Sequence, residues 1–231
     1  MGKRPRFYFS LRSPYSWLAY RELLSSHGWV ADLVEWVPFW EPDAESSRLL
    51  TSLGGSFPYS TMTRAKSLYI LQDVKRLAAG VSFRWPVDRN PVWEIPHLGY
   101  LVAERAGLGR EYVAAAYRAR WEEGRNICDR ATIADIAGDL GLPRDEVSSA
   151  ADDPELRAAG ARILLDICKD GVFGVPFFVH GFNRYWGMER LGAFVEHLAS
   201  EAAPAGAMPE RVGAAVAVGR SSDEGHAGGC G

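Results

Sequence analysis

The sequence predicts an α/β fold with a mixed sheet and a large all-helical insertion, and three observations carry that prediction. A β-α-β pattern opens the chain over residues 6–39. Helical patterns with no strand between them fill 58–170, and a strand-turn-strand-helix pattern closes 171–200. Residues 5–40 and 171–200 are therefore read as one core, and 58–170 as a helical subdomain inserted into it.

Each element has a local reason. Residues 6–11, Arg6-Phe7-Tyr8-Phe9-Ser10-Leu11, are short and aromatic-rich, which suits a buried strand that Ser13-Pro14 halts. From Tyr15 to Leu24 the apolar positions Trp17, Leu18, Tyr20, Leu23 and Leu24 recur at helical spacing. Ser13 is the cap candidate, with Pro14 in the first turn. Residues 33–39 alternate as a second strand, and a strand-helix-strand order implies a parallel pair. The polar, Gly-containing stretch from Glu41 to Pro58 is read as a connection. Helices are then expected at Thr63–Leu77, Glu94–Ala106, Arg110–Glu123, Thr132–Leu140 and Pro154–Lys169, punctuated by Gly107, Gly124, Gly141 and Asp152-Asp153-Pro154. After Gly171, a β-rich run at 175–179, a turn at His180–Asn183, a return through Arg184-Tyr185-Trp186 and a helix from Met188 to Leu198 complete the sheet. The Ala- and Gly-rich segment 202–231 is read as a disordered tail.

Composition narrows the classes of function. The net charge of −3 is small and well mixed, and no window interleaves basic residues with stacking aromatics, so neither nucleic acid nor a membrane surface is an expected partner. No apolar core of a secretory signal follows the basic residues of the first six positions, and no stretch is long enough to span a bilayer. Cys128, Cys168 and Cys230 stand far apart, with no Cys-x-x-Cys pair and no spaced metal cluster. A reducing, cytoplasmic setting and no metal are expected.

The chemistry gathers where the first strand meets the first helix. Ser13-Pro14-Tyr15-Ser16 occupies the place where thioredoxin-like redox proteins hold Cys-Pro-x-Cys. With both sulfurs replaced by hydroxyls, disulfide exchange from this site is excluded. A hydroxyl at a helix N-terminus instead favours an anion, and a thiolate from outside would be stabilised there. A lone Ser-Pro at a helix start is ordinarily only a cap. A second feature shifts that balance: Gly174-Val175-Pro176-Phe177-Phe178 sets a proline at the mouth of a late strand, where thioredoxin-like folds place a cis-proline facing the first helix. The Val175 backbone would there be able to pair with the cysteinyl part of glutathione.

Taken with Trp121-x-x-Gly124-Arg125-Asn126-Ile127, Gly171-Val172-Phe173-Gly174-Val175-Pro176 and Trp186-Gly187-Met188-Glu189-Arg190-Leu191, these residues give a pattern over about 5–200. It resembles the 2-hydroxychromene-2-carboxylate isomerase and kappa-class glutathione transferase family, within the DsbA-like thioredoxin superfamily. The resemblance implies a thioredoxin-like fold and glutathione as cofactor. It implies that Ser13 holds the thiolate as catalytic residue, that Val175 and Pro176 bind the peptide backbone, and that Met188 and Glu189 face the γ-glutamyl end. It also implies a homodimer. Two positions depart from the family pattern: Met188 stands where a small hydroxyl residue is usual, and Phe39-Trp40-Glu41-Pro42-Asp43 replaces an Asn- and Pro-rich loop.

The leading function is cis-trans isomerisation of a small conjugated unsaturated carbonyl substrate, with glutathione as nucleophilic cofactor. The competitors are a glutathione-independent isomerase of a polyene chain, which an acyl carrier protein could deliver, a kappa-like glutathione transferase, and a non-catalytic binding scaffold. His97 is weighed as a general acid or base against a structural hydrogen-bonding role, which a lone histidine more often plays. Arg64 and Lys66 are weighed as anion holders against a solvated face, and Cys128 as an internal thiol against packing. The aromatic load, including Tyr15, Trp40, Tyr59, Tyr69 and Trp93, suits a flat ligand but equally an ordinary core.

Overall fold

The structure, a computed structural model, describes residues 4–58 and 62–202. The tail expectation at 203–231, Cys230 and Tyr59 lie outside the described residues. Strand β1 (Arg6–Phe9) leads into α1 (Pro14–Ser26), and a six-residue helix α2 (Gly28–Leu33) precedes β2 (Glu35–Pro38). The second strand is thus shorter than the expected 33–39, because Gly28 to Leu33 close a helical turn in front of it. The stretch from Glu41 to Pro58 is not a plain connection: it contains α3 (Ala44–Ser52), started by the Asp43 carboxylate, which accepts from the Ser46 amide at 2.8 Å.

The insertion runs through α4 (Arg64–Leu77), α5 (Glu94–Arg105), α6 (Gly109–Tyr117), α7 (Arg130–Asp139), α8 (Arg144–Ser148) and α9 (Pro154–Lys169). The helix expected to continue to Glu123 widens into a π-turn over Arg118–Glu122. That turn carries Arg120 inward, where its guanidinium pairs with Asp88 through two hydrogen bonds of 2.8 Å. The chain then returns as β3 (Phe177–His180), β4 (Asn183–Trp186), a 3₁₀ turn over Met188–Arg190 and α10 (Leu191–Ala202).

The sheet is mixed, in the order β2-β1-β3-β4. β1 runs parallel to β2 and antiparallel to β3, and β3 and β4 form a hairpin. The core is continuous from sheet to insertion. Phe7 stacks on Phe178 at 4.9 Å, and Phe178 stacks on Phe194 of α10 at 5.0 Å. On the same face of β1, Phe9 meets Tyr100 of α5 edge-on at 5.3 Å, and within the helical layer Trp17 of α1 stacks on Trp121 at 6.0 Å. No helix among the described residues is long and apolar enough to cross a membrane.

Candidate active site

The turn between β1 and α1 is held by hydroxyl and imidazole groups rather than by sulfur. Ser13 takes an extended conformation as the N-cap of α1, and its Oγ accepts from the Ser16 amide at 3.2 Å. The Ser16 hydroxyl reaches back to accept from the Ser10 amide at 3.2 Å, and the Tyr117 hydroxyl donates to the Ser10 carbonyl at 3.1 Å. Because the Ser13 oxygen acts as acceptor toward the helix, its own O–H proton is left to donate elsewhere.

His97 of α5 fixes the same turn from behind. The Leu11 amide donates to Nε2 at 3.1 Å, so the ring proton sits on Nδ1, which donates to the Trp93 carbonyl at 2.7 Å. The ring is fully buried and stacks on Trp40 at 5.5 Å. Burial lowers its pKa to about 3, well below the ordinary 6.5. His97 is therefore a neutral positioning residue and not a general acid or base.

The Val175–Pro176 peptide bond is cis, as the motif predicts. Val175, Pro176, Met188 and Glu189 line one groove of about 520 Å³, together with Tyr15 and Asp73. Ser13 does not line that groove. It is 3% exposed and borders a small cavity of about 10 Å³ with Arg12, Phe39, Trp40 and Phe57. Val175 lines both spaces and is the wall between them. Among the described residues neither the amide nor the carbonyl of Val175 has a backbone partner.

Two contributors were not singled out in the sequence. The Tyr15 hydroxyl donates to Asp73 of α4 at 2.8 Å, which ties the first turn of α1 to the insertion across the groove. Arg12 pairs with Glu41 at 2.8 Å and lies 5.5 Å from the Trp93 ring, placing a guanidinium beside the Ser13 cavity. Arg12 adjoins the motif in sequence, which was a signal; Asp73, on the exposed side of a helical pattern, offered none. Arg64 and Lys66 do not line the groove. Cys128 is buried, and burial pushes its thiol up to about 12, so it is a packed thiol without thiolate character near neutral pH.

A hydroxyl-capped α1 beside a cis-proline, on a β-α-β sheet with a helical insertion, defines a thioredoxin-like domain that lacks the redox thiol pair. The chain belongs to the DSBA-like thioredoxin domain family, whose model matches residues 6–199. It is 24% identical over 198 residues to a 2-hydroxychromene-2-carboxylate isomerase of Sphingobium xenophagum, covering 86% of this chain and 99% of that one. Among solved structures, a 2-hydroxychromene-2-carboxylate isomerase matches with a TM-score of 0.65 at 21% identity, over 86% of this chain and 95% of the other. A probable DsbA oxidoreductase from Streptomyces coelicolor matches with a TM-score of 0.62 at 18% identity, over 89% and 92%. The cytosolic disulfide reductase DsbM from Pseudomonas aeruginosa, solved with glutathione, matches with 0.55 at 20%, over 86% and 98%. At these identities the structural matches establish the thioredoxin-like DsbA fold with its helical insertion.

Proposed function

We propose that this protein is a cis-trans isomerase acting on a small conjugated unsaturated carbonyl compound, with glutathione as its thiol cofactor. The observation that carries the reading is the Ser13 hydroxyl at the start of α1, one residue wall away from a groove that ends on the cis Val175–Pro176 bond. End-to-end similarity to an isomerase supports it.

The residues present fit a thiol tripeptide. The groove volume falls within the roughly 300–1,000 Å³ of small-molecule pockets. The unpaired Val175 backbone offers an amide and a carbonyl to an extended peptide. The carboxylates of Asp73 and Glu189 and the guanidiniums of Arg184 and Arg190, all lining the groove, offer both signs of charge to a zwitterion. When bound, glutathione supplies a thiolate whose reversible addition to the conjugated double bond allows that bond to rotate.

What this chain contributes is positioning and electrostatics. In the structure Val175 walls Ser13 off from the groove, so the Ser13 O–H reaches sulfur only where that wall opens; there the N-terminus of α1 also favours the anion, and a thiol with a pKa of about 8.5 ionises nearer neutrality. Arg12 borders the Ser13 cavity and pairs with Glu41, so it is a cation that would meet negative charge developing on a carbonyl oxygen only where the cavity opens to the groove. The Tyr15–Asp73 bond and the apolar face of Met188 shape the groove wall.

Calorimetric titration with glutathione, run on wild type and Ser13→Ala, tests the cofactor. Turnover of 2-hydroxychromene-2-carboxylate with and without glutathione tests the reaction. The expected result is glutathione binding that weakens roughly ten- to a hundredfold in Ser13→Ala, as the loss of a hydrogen bond to a charged group of about 1.5–3 kcal/mol predicts. Turnover should require the thiol. Absence of binding at cellular glutathione concentrations would sink the cofactor assignment.

A second reading, glutathione-independent isomerisation of a larger conjugated chain, draws on the near closure of the Ser13 cavity and on Met188 in the groove. Equal turnover with and without glutathione would select it.

A further inference from the structure

At the end of β3 away from Pro176, three side chains converge from two separate elements. His180 is the last residue of β3, and His197 and Glu201 lie one turn apart near the end of α10. His180 Nδ1 is 3.3 Å from His197 Nε2. Glu201 reaches His180 Nδ1 with Oε2 at 3.2 Å and His197 Nε2 with its other oxygen, Oε1, at 3.5 Å. Both imidazoles are four-fifths buried, and the carboxylate is half exposed, so one side of the triangle is open to solvent.

Hydrogen bonding satisfies part of this cluster: His180 Nδ1–H can donate to Glu201 Oε2, and the Asn183 amide, 3.3 Å from His197 Nε2, can donate to that ring. It leaves two ring nitrogens 3.3 Å apart beside one carboxylate, and with both nitrogens bare toward the cluster these three groups turn lone pairs to a common point, the donor set of a cation site. The nitrogen–nitrogen edge agrees: zinc–ligand bonds of about 2.0–2.1 Å in tetrahedral geometry set ligand atoms about 3.3–3.4 Å apart, against 3.3 Å between the two ring nitrogens, with one carboxylate oxygen 3.2 Å from the first and the other oxygen 3.5 Å from the second. No lysine or arginine pairs with Glu201 among the described residues, so the carboxylate charge is not already neutralised by a fixed cation.

We infer that His180, His197 and Glu201 bind a divalent transition-metal cation of the zinc class. Two imidazole nitrogens and one carboxylate oxygen serve as ligands, and a water completes the tetrahedron on the open side. Such an ion ties the C-terminal turn of α10 to the tip of the β3–β4 hairpin. This site is new to the cysteine-based reading of the sequence, which expected no metal, because its ligands are two histidines 17 residues apart and meet only through the fold.

Calorimetric titration of the full chain with zinc chloride, after removal of metal with a chelator, tests the site. The comparison is wild type, His197→Ala, Glu201→Gln and a control, His226→Ala, which lies in the C-terminal segment outside the described residues. The expected result is one zinc per chain, with affinity falling on the order of tenfold or more in His197→Ala and in Glu201→Gln and unchanged in His226→Ala. Zinc should also raise the melting temperature of wild type but not of Glu201→Gln. The half-exposed position of Glu201 makes its carboxamide a substitution the metal-free fold tolerates. Absence of zinc binding, or binding of equal strength in Glu201→Gln, would overturn the assignment.

Discussion

His97 shows how one side chain deep in the insertion sets the geometry of a loop 86 positions earlier in the chain. Its imidazole must stay neutral, since Nε2 accepts from the Leu11 amide, and burial drives its pKa down to about 3. In the unfolded chain the same ring titrates near 6.5, so between about pH 6.5 and pH 3 the unfolded state binds the extra proton. The ring's contribution to stability is therefore complete above pH 6.5 and declines as pH falls, at up to about 1.4 kcal/mol per pH unit. Urea denaturation of wild type and His97→Gln at several pH values between 7 and 4 checks this. The difference between the two should shrink steadily toward acid, and a difference independent of pH would contradict a neutral buried ring. The sequence allowed both a structural and an acid-base role for this residue. It left them open because the deciding partners, the Leu11 amide and the Trp93 carbonyl, are backbone groups, and one of them lies far away along the chain.

The elements that could be read from the sequence are those whose signal is local. The β1 run of aromatics, the Pro14 start of α1 and the long apolar spacings of α5 and α9 all appear within two or three residues of their expected bounds. α3 was hidden because its nine residues are mostly Ser, Thr, Glu and Arg, with Leu50 its one buried apolar side chain. Its stability comes from Asp43, a residue with several tasks. The carboxylate caps α3 through Ser46 and also accepts from Arg157 of α9 at 3.0 Å, while the Asp43 amide donates to buried Glu94 of α5 at 2.6 Å. Burial raises the Asp43 pKa, but the Ser46 amide and Arg157 outweigh it, and the net effect holds the carboxyl below its ordinary value. The ion pair therefore contributes fully above about pH 4, the unfolded value, and is lost as pH falls through the lower folded one. Asp43→Ala is expected to cost about 0.5–2 kcal/mol through the cap alone. Asp43→Asn keeps a capping oxygen, so it should cost less at neutral pH and show a flatter loss of stability below pH 4. Chemical denaturation of the three proteins at pH 7 and pH 3 measures both effects, and equal costs for the two substitutions at pH 7 would show that the cap is not what Asp43 supplies.

Across the whole molecule, the motifs do not tell how the space between their residues is divided. Ser-Pro-Tyr-Ser and Gly-Val-Pro point to one shared site, whereas Ser13 borders a small cavity and Pro176 lines the groove, with Val175 common to both. That Val175 walls Ser13 off from the groove depends on how Phe39, Trp40 and Phe57 pack against the cavity, which is a property of two separate segments. The far side of the groove belongs to α4, and the packing of this helix differs from that of its neighbours. Only Ile70 and Val74 of α4 are buried, whereas Leu68, Tyr69, Leu71 and Leu77 are exposed. In α5, ten consecutive residues from Glu94 to Ala103 are buried. A helix with so little buried surface opens locally at lower free energy than one set in the core. Tyr15 and Asp73 form a direct tie between α4 and α1, and Tyr69 and Asp73 of α4 face the groove. Amide hydrogen exchange should therefore run faster over 64–77 than over 94–105. It should become faster still in Asp73→Ala, with 94–105 unchanged, and slow when a ligand fills the groove. Exchange over 64–77 as slow as over 94–105, and indifferent to Asp73→Ala, would mean that α4 is a fixed wall. In that case substrate would have to enter by a route that leaves α4 in place.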